Sequence, residues 1–325
     1  MESKNILVLG GSGFIGQHLI HRLTKDKHRV ISCDIRMPDF EQTYDFEFHQ
    51  YDLREQVFIN GLKNITFDEI YQLAADMGGA GYVFSGQHDA DILLNSAQIN
   101  LNVLRATQVW NFTGRIFFAS SACIYPQENQ LNEWNPDCRE ESAYPANPDS
   151  DYGWEKLFGE RMYAAFHRNK NLSIRIARFH NIYGPWGIFD GGKEKAPAAI
   201  CRKVAQAKEH DSIEIWGDGN QTRSFLFIDD AIDALLQLMK SDFSQPLNIG
   251  SEEMVSINEL AKMVIQLSGK TLSLRHVNGP IGVRGRNSSN EQIEKVLGWK
   301  VNTPLKKGLE KTYFWIHKII EANGK

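Results

Sequence analysis

Tyr152 and Lys156 stand four residues apart in Tyr152-Gly-Trp-Glu-Lys156. On a helix that spacing puts a phenol and an ammonium on one face, one turn apart. An unperturbed tyrosine titrates near ~10 and is a poor base at neutral pH, but a nearby cation favours its phenolate. Such a tyrosine can take a proton from a carbinol while hydride leaves the same carbon. Ser120-Ser121 ends an apolar run upstream. Hydride needs an acceptor, and the stretch Asn5-Ile-Leu-Val-Leu-Gly10-Gly-Ser-Gly13-Phe14-Ile15-Gly16 is built to hold one. Gly10 permits a tight turn and Gly13 lets a pyrophosphate approach the backbone. Gly16 lets the helix opened by Phe14 and Ile15 pack on the preceding strand, with its free N–H groups facing the phosphates. Asp34, eighteen residues beyond Gly16, closes the next strand-like run. A carboxylate there accepts ribose hydroxyls and repels a 2′-phosphate, which favours NAD; Arg36 nearby leaves NADP open. Asp52 follows a third run, where contact with an adenine and ordinary strand-end packing are equally compatible with it.

These groups must be positioned by alternating elements. Strand-like runs at 6–10, 29–34, 46–50, 69–75, 115–121 and 173–179 are separated by amphipathic stretches at 14–24, 92–110 and 152–167. Near-continuous apolar strands alternating with helices predict an α/β, Rossmann-like, doubly wound parallel sheet covered on both faces. After residue 181 the pattern changes to loops rich in Gly, Pro and charge (184–197, 217–222, 279–286). The expected division is a NAD-binding part over 1–180 and 224–250, with a smaller, discontinuous C-terminal α/β substrate part over 181–223 and 251–325. Residues 225–240 return to the first part, 247–250 form a further strand, and Asp229 is expected to cap a helix.

Composition narrows the partners. The 325 residues are 42% hydrophobic and 23% charged, which excludes disordered and low-complexity classes. Lys and Arg number 36 against 40 Asp and Glu, so nucleic acid is not an expected partner and an anionic ligand must be held by a local cluster. The four cysteines, Cys33, Cys123, Cys138 and Cys201, form no ligand or disulfide pattern. No metal is expected, and the cytoplasm is the expected location. The apolar stretch at 6–9 is too short for an export signal, and no run approaches a membrane span.

The glycine turn, Ser121 and the Tyr152/Lys156 pair together resemble the short-chain dehydrogenase/reductase superfamily in its extended, sugar-nucleotide-modifying branch, where they match the Ser-Tyr-Lys triad. The resemblance narrows through Ala74-Ala-Asp-Met-Gly-Gly79, Ser120-Ser-Ala-Cys-Ile-Tyr-Pro126, Arg178-Phe-His-Asn-Ile-Tyr-Gly-Pro185, Gly192-Lys-Glu-Lys-Ala-Pro-Ala-Ala199, Trp216-Gly-Asp-Gly-Asn-Gln-Thr-Arg-Ser224 and Gly282-Val-Arg-Gly-Arg-Asn-Ser288. Over residues 4–319 these look like the family of GDP-mannose 3,5-epimerases. By residue type alone Cys123 reads as a small apolar residue at a strand end, and Lys195 as a solvated loop lysine. The resemblance assigns them an acid/base pair: oxidation at C4 makes the C3 and C5 hydrogens removable, and inversion needs a base on one face and an acid on the other.

The resemblance also implies a GDP-sugar held by Gly81, Ser121, Ala122, Cys123, Asn181, Glu194, Lys195, Ala196, Lys203, Gln221, Thr222, Arg223 and Arg286. Of these, Lys203, Arg223 and Arg286 are expected to offset the diphosphate charge. The expected product is GDP-L-galactose, with GDP-L-gulose from inversion at C5 alone. The alternatives are another GDP-sugar epimerase, a 4-keto sugar reductase-epimerase of the GDP-fucose synthase kind, and a non-catalytic dinucleotide sensor. A homodimer through 92–110 and 152–167 is implied by the same resemblance. Residues 84–91 depart from the plant epimerase pattern, which leaves the identity of the hexose, or even a heptose, open.

Overall fold

The computed structural model describes residues 2–38 and 45–323; residue 1 and residues 324–325, the outer ends of the expected division, lie outside these, as do 39–44. The first half runs β1 (Asn5–Leu9), α1 (Phe14–Lys25), β2 (Arg29–Asp34), β3 (Glu47–Gln50), α2 (Val57–Leu62), β4 (Glu69–Gln72), α3 (Ala80–Val83), α4 (Asp89–Val109), β5 (Arg115–Ser121), α5 (Asp151–Lys170) and β6 (Ser173–Phe179). The second continues with β7 (Ile182–Tyr183), α6 (Ala196–Gln206), β8 (Ser212–Trp216), β9 (Thr222–Ser224), β10 (Leu226–Phe227), α7 (Ile228–Lys240) and β11 (Pro246–Ile249). It ends with β12 (Met254–Ser256), α8 (Ile257–Ser268), β13 (Ser273–Val277), β14 (Gly285–Arg286), α9 (Glu291–Leu297) and α10 (Leu305–Asn323).

The main sheet has seven parallel strands in the order β11-β6-β5-β4-β1-β2-β3. Strand order reverses between β1 and β4, which opens a crevice at their carboxyl ends. β1 shows why both faces are covered. Ile6 and Val8 pack into one apolar cluster with Leu19, Ile20 and Leu23 of α1, and Leu7 and Leu9 into another with Val103 and Leu104 of α4. All four strand residues are fully buried, and each such side chain contributes roughly 1.5–3 kcal/mol relative to exposure.

Two details differ from the sequence expectation. The fourth strand stops at Gln72 rather than at 75, because the Gln72 amide bonds both the N–H and the C=O of Ala74 and turns the chain out of the sheet. Asp229 does not cap α7: Phe227 is the cap residue, and Asp229 lies in the first turn with Asp230. Carboxylates there favour the positive end of the helix without a capping bond.

Beyond the main sheet, β9 lies between β12 and β14, and β8 pairs with β13. Helices α6, α8 and α10 pack on one another beside them. α7 returns to the main sheet, against β5, β6 and β11, as expected from the sequence.

Candidate active site

The glycine turn between β1 and α1 sits at the crevice. Gly10 has φ +84°, and a Cβ on it would lie 2.7 Å from the nitrogen of Ala74. A Cβ on Gly16 would lie 2.4 Å from the Gly10 carbonyl, so helix and turn meet only with glycine there. Gly13 is the cap residue of α1 and brings no side-chain acceptor, which leaves the first N–H groups of the helix available to a phosphate. Asp34 is buried at the end of β2 and accepts from the backbone N–H groups of Ser12 and Arg36, at 3.0 and 3.1 Å. The cradle, the free helix terminus and this carboxylate fit a dinucleotide. Asp52 is not a free acceptor: the Arg54 guanidinium bonds both its oxygens and holds its carboxyl below the usual range.

The catalytic candidates come from three elements. β5 ends at Ser121, whose hydroxyl accepts from the N–H of Cys123 at 3.2 Å and starts the short turn Ala122–Ile124. Its neighbour Ser120 is committed elsewhere, donating to the buried carboxylate of Glu160 that also pairs with Arg178. Ser121 is therefore the serine that reaches Tyr152. α5 starts from a Ser150 cap and carries Tyr152 and Lys156 one turn apart, both buried. The Lys156 ammonium lies 5.7 Å from the Tyr152 ring centre and 3.8 Å from Glu155, itself held by Asn100 at 2.9 Å.

Burial pushes the Tyr152 phenol well above its usual value, with Cys123 and Glu155 adding to the rise; the Ser121 hydroxyl and Arg286 act the other way. The sequence expectation of a phenol brought down by Lys156 does not describe the protein alone, because desolvation of the phenolate outweighs its neighbours. The positive charge of an oxidised nicotinamide is the remaining contribution that would lower it.

Lys195 immediately precedes α6. Its approach is fixed by Gly79, whose N–H bonds the carbonyl of Lys193 at 2.9 Å and whose missing Cβ makes room for the carbonyl of Glu194. The Glu194 carboxylate pairs with Arg202 at 3.1 Å and accepts from the N–H of Gly192 at 2.7 Å, closing the loop. Burial pushes the Lys195 ammonium down and Cys123 pulls it up, so the two groups lie within electrostatic reach of each other. Two residues that by type alone read as apolar filler and solvated lysine are brought to one place.

Most of the remaining sugar-nucleotide candidates lie beyond residue 180. β14 pairs with β9 so that Arg286 stands opposite Arg223. Arg223 donates to the carbonyls of Thr222 and Ile281, and burial, with Arg286 next, pushes it down to about 10. Thr222 bonds the Glu133 carbonyl, and Gln221 donates to the Trp216 carbonyl at 3.1 Å while its own oxygen stays buried without a partner. Asn181, at φ +45°, donates to the Ser224 carbonyl. Gly81 faces the Trp216 ring, Ala122 sits in the turn after Ser121, and Ala196 opens α6. Lys203 turns to the Glu214 carbonyl at 2.7 Å, at the edge of β8.

Arg286 also reaches the candidate thiol. Its guanidinium donates to the Cys123 sulfur at 3.0 Å, to Asp149 at 2.9 Å and to Gln130. Sequence reasoning missed Asp149 and Gln130. Asp149 precedes the cap of α5 in Pro148-Asp-Ser-Asp and reads there as helix-start polarity, so no local signal marks it.

Comparison with known proteins gives the following. The profile of the NAD dependent epimerase/dehydratase family matches residues 6–250. The GDP-mannose 3,5-epimerase of Arabidopsis thaliana is 46% identical over 323 residues, 98% of this chain and 84% of that protein. GDP-mannose 3,5-epimerase 1 of Oryza sativa subsp. indica is 45% identical over the same length, 98% and 83%. Among solved structures, MoeE5 in complex with UDP-glucose and NAD superposes with a TM-score of 0.80 at 26% identity, covering 97% of this chain and 99% of that one.

Proposed function

We propose, for a chain that belongs to the NAD dependent epimerase/dehydratase family, that it inverts C3 and C5 of GDP-mannose through a 4-keto sugar. Its nearly full-length similarity to GDP-mannose 3,5-epimerases supports this over a reductase-epimerase. The observation that carries the site assignment is that Gly153, next to Tyr152 on α5, abuts the Cys123 carbonyl, with Lys195 within electrostatic reach of the thiol.

The cofactor is NAD, which when bound supplies a hydride acceptor at C4 and returns the hydride at the end. Tyr152 takes the C4 hydroxyl proton, Ser121 holds that oxygen, and Lys156 steadies the charge from one turn below. The Cys123 thiolate removes a proton from the carbon beside the ketone. The electron pair moves onto the C4 oxygen, which the same hydroxyl groups stabilise. Lys195 returns a proton from the opposite face, and its desolvated ammonium is the better donor for being pushed down. Arg223 is the diphosphate anchor, because its planar fork suits paired oxygens.

GDP-mannose turned over in heavy water tests this. Deuterium at C3 and C5 in the recovered sugar is expected, read by mass and NMR; label-free sugar of unchanged configuration would remove the proposal.

The division at 1–180 with 224–250, against 181–223 with 251–325, fits a cofactor part and a sugar part. A homodimer through α4 and α5 is supported by Leu94, Leu101, Trp154 and Phe158, apolar side chains left exposed on two helices packed together. Sedimentation of Phe158→Glu is expected to give monomer, and an unchanged species would count against that face. A reducing compartment suits the unpaired cysteines, since Cys123 must be free to act; isolation of a stable disulfide form from cells would contradict it. No helix among the described residues is long and apolar enough to cross a membrane.

A further inference from the structure

The Arg286 guanidinium is used on three different acceptors. Nη1 donates to the Cys123 sulfur, Nη2 to Asp149 and Nε to Gln130. Each acceptor is itself fixed. Gln130 is fully buried, and its own amide N–H groups are spent on the carbonyls of Tyr125 and Pro126, so its oxygen must face Arg286. The Asp149 and Arg286 side chains are 4% and 6% exposed, so the pair is an interior one. A carboxylate this deep is tolerated only when paired, and a planar fork held at two edges has no freedom left at the third. The sulfur sits at that third edge.

Other charged and titratable groups facing Cys123 are Tyr152 from α5, Lys195 at the head of α6 and Arg223 from β9. Arg286, by contrast, is hydrogen-bonded to the sulfur. Arg223, in register beside it, donates instead to the backbone carbonyls of Thr222 and Ile281.

We propose that Asp149 is a positioning residue: it aims Arg286 at the sulfur of Cys123, so that Arg286 serves as counter-charge to the thiolate. The link to turnover rests on the 3,5-epimerase reading above. In the proton-transfer step an S–H bond forms as the C–H bond breaks, and the electron pair passes to the C4 oxygen. Arg286 stabilises the sulfur anion before that transfer and again after the proton has left it. No further reagent is required.

The test compares wild type, Asp149→Asn and Gln130→Met in two measurements. One is the rate of Cys123 alkylation by iodoacetamide, read by peptide mass, with buried Cys33, Cys138 and Cys201 as internal references. The other is kcat and KM with GDP-mannose. Loss of one charge-assisted bond is expected to slow alkylation about tenfold or more in Asp149→Asn and to lower kcat in parallel. KM is expected to stay within about twofold. Gln130→Met, which keeps the ion pair, is expected to change both in the same direction by less, and it carries the comparison if Asp149→Asn does not fold. Unchanged or faster alkylation overturns the proposal, as does raised KM with unchanged kcat, which would place Asp149 in substrate binding instead. Slower alkylation with normal kcat overturns its catalytic part. If wild type does not turn over GDP-mannose, the epimerase reading fails while the alkylation ratio still decides the clamp.

Discussion

Gly153 lies against the carbonyl of Cys123: a Cβ on it would come within 2.1 Å of that oxygen and 2.8 Å of Pro148. The helix that carries Tyr152 and Lys156 thus rests directly on the turn that carries the thiol, and the spacing between helix and turn is set by a missing methyl. The contact is with backbone, which cannot swing aside. Gly153→Ala is expected to destabilise the fold by about 1–3 kcal/mol. Its epimerisation rate should fall more than that stability loss explains. Thermal melting together with initial rates would check this, and a stable variant of normal rate would show that the turn can yield.

Cys123 and Lys195 are assigned to inversion, and Tyr152 with Lys156 to oxidation at C4, so the two functions should separate. Cys123→Ala and Lys195→Ala are expected to lower exchange of C3 and C5 hydrogens by at least about a hundredfold, the usual worth of a general acid or base. Transient nicotinamide reduction should persist in both. Absorbance and deuterium incorporation on one sample give both readings. Loss of the two together in Cys123→Ala would mean that the residue is structural.

Asp34 is held by two backbone N–H groups with its carboxylate at the end of β2. Asp34→Asn keeps the shape and removes the charge. NAD binding is expected to weaken by about tenfold, the worth of a charged hydrogen bond, while NADP binding improves as repulsion of its 2′-phosphate disappears. Fluorescence titration with both dinucleotides would decide it, and an unchanged ratio would place the ribose elsewhere.

His180 is fully buried beneath Tyr125, bonded to Asn248 at 2.9 Å, and burial pushes it down to about 3. Partly buried His18, bonded to the Pro185 carbonyl, is pushed down by desolvation as well. A histidine whose folded pKa lies below the unfolded value costs nothing while both states are neutral. Once pH falls below about 6.5, the unfolded chain binds protons that the folded one refuses. Stability should therefore decline from about pH 6.5 toward about 3. Urea midpoints across that range should show a shallower decline in His180→Gln than in wild type, and equal slopes would remove His180 from the acid response.

Much of the fold was legible in the chain. β2, β5 and β6 fall on their expected limits, because buried strands of a parallel sheet are continuous apolar runs. The glycine turn and the tyrosine-lysine spacing are equally local: both are meanings of short stretches of backbone, and short stretches can be read in order. Even the end of β4 depended on an amide bonding its own chain two residues on, which apolar patterning does not display.

The sequence by itself determined the sheet, the glycine turn and the tyrosine-lysine pair on one helix face, since each is specified by periodicity or by residues within one helical turn. Only the tertiary structure decided the surroundings of the thiol. Arg286 lies 163 positions beyond Cys123 and 137 beyond Asp149. Nothing in any of the three neighbourhoods names the other two. A buried charge must find its counter-charge wherever the fold delivers one, and that meeting is a property of packing in three dimensions.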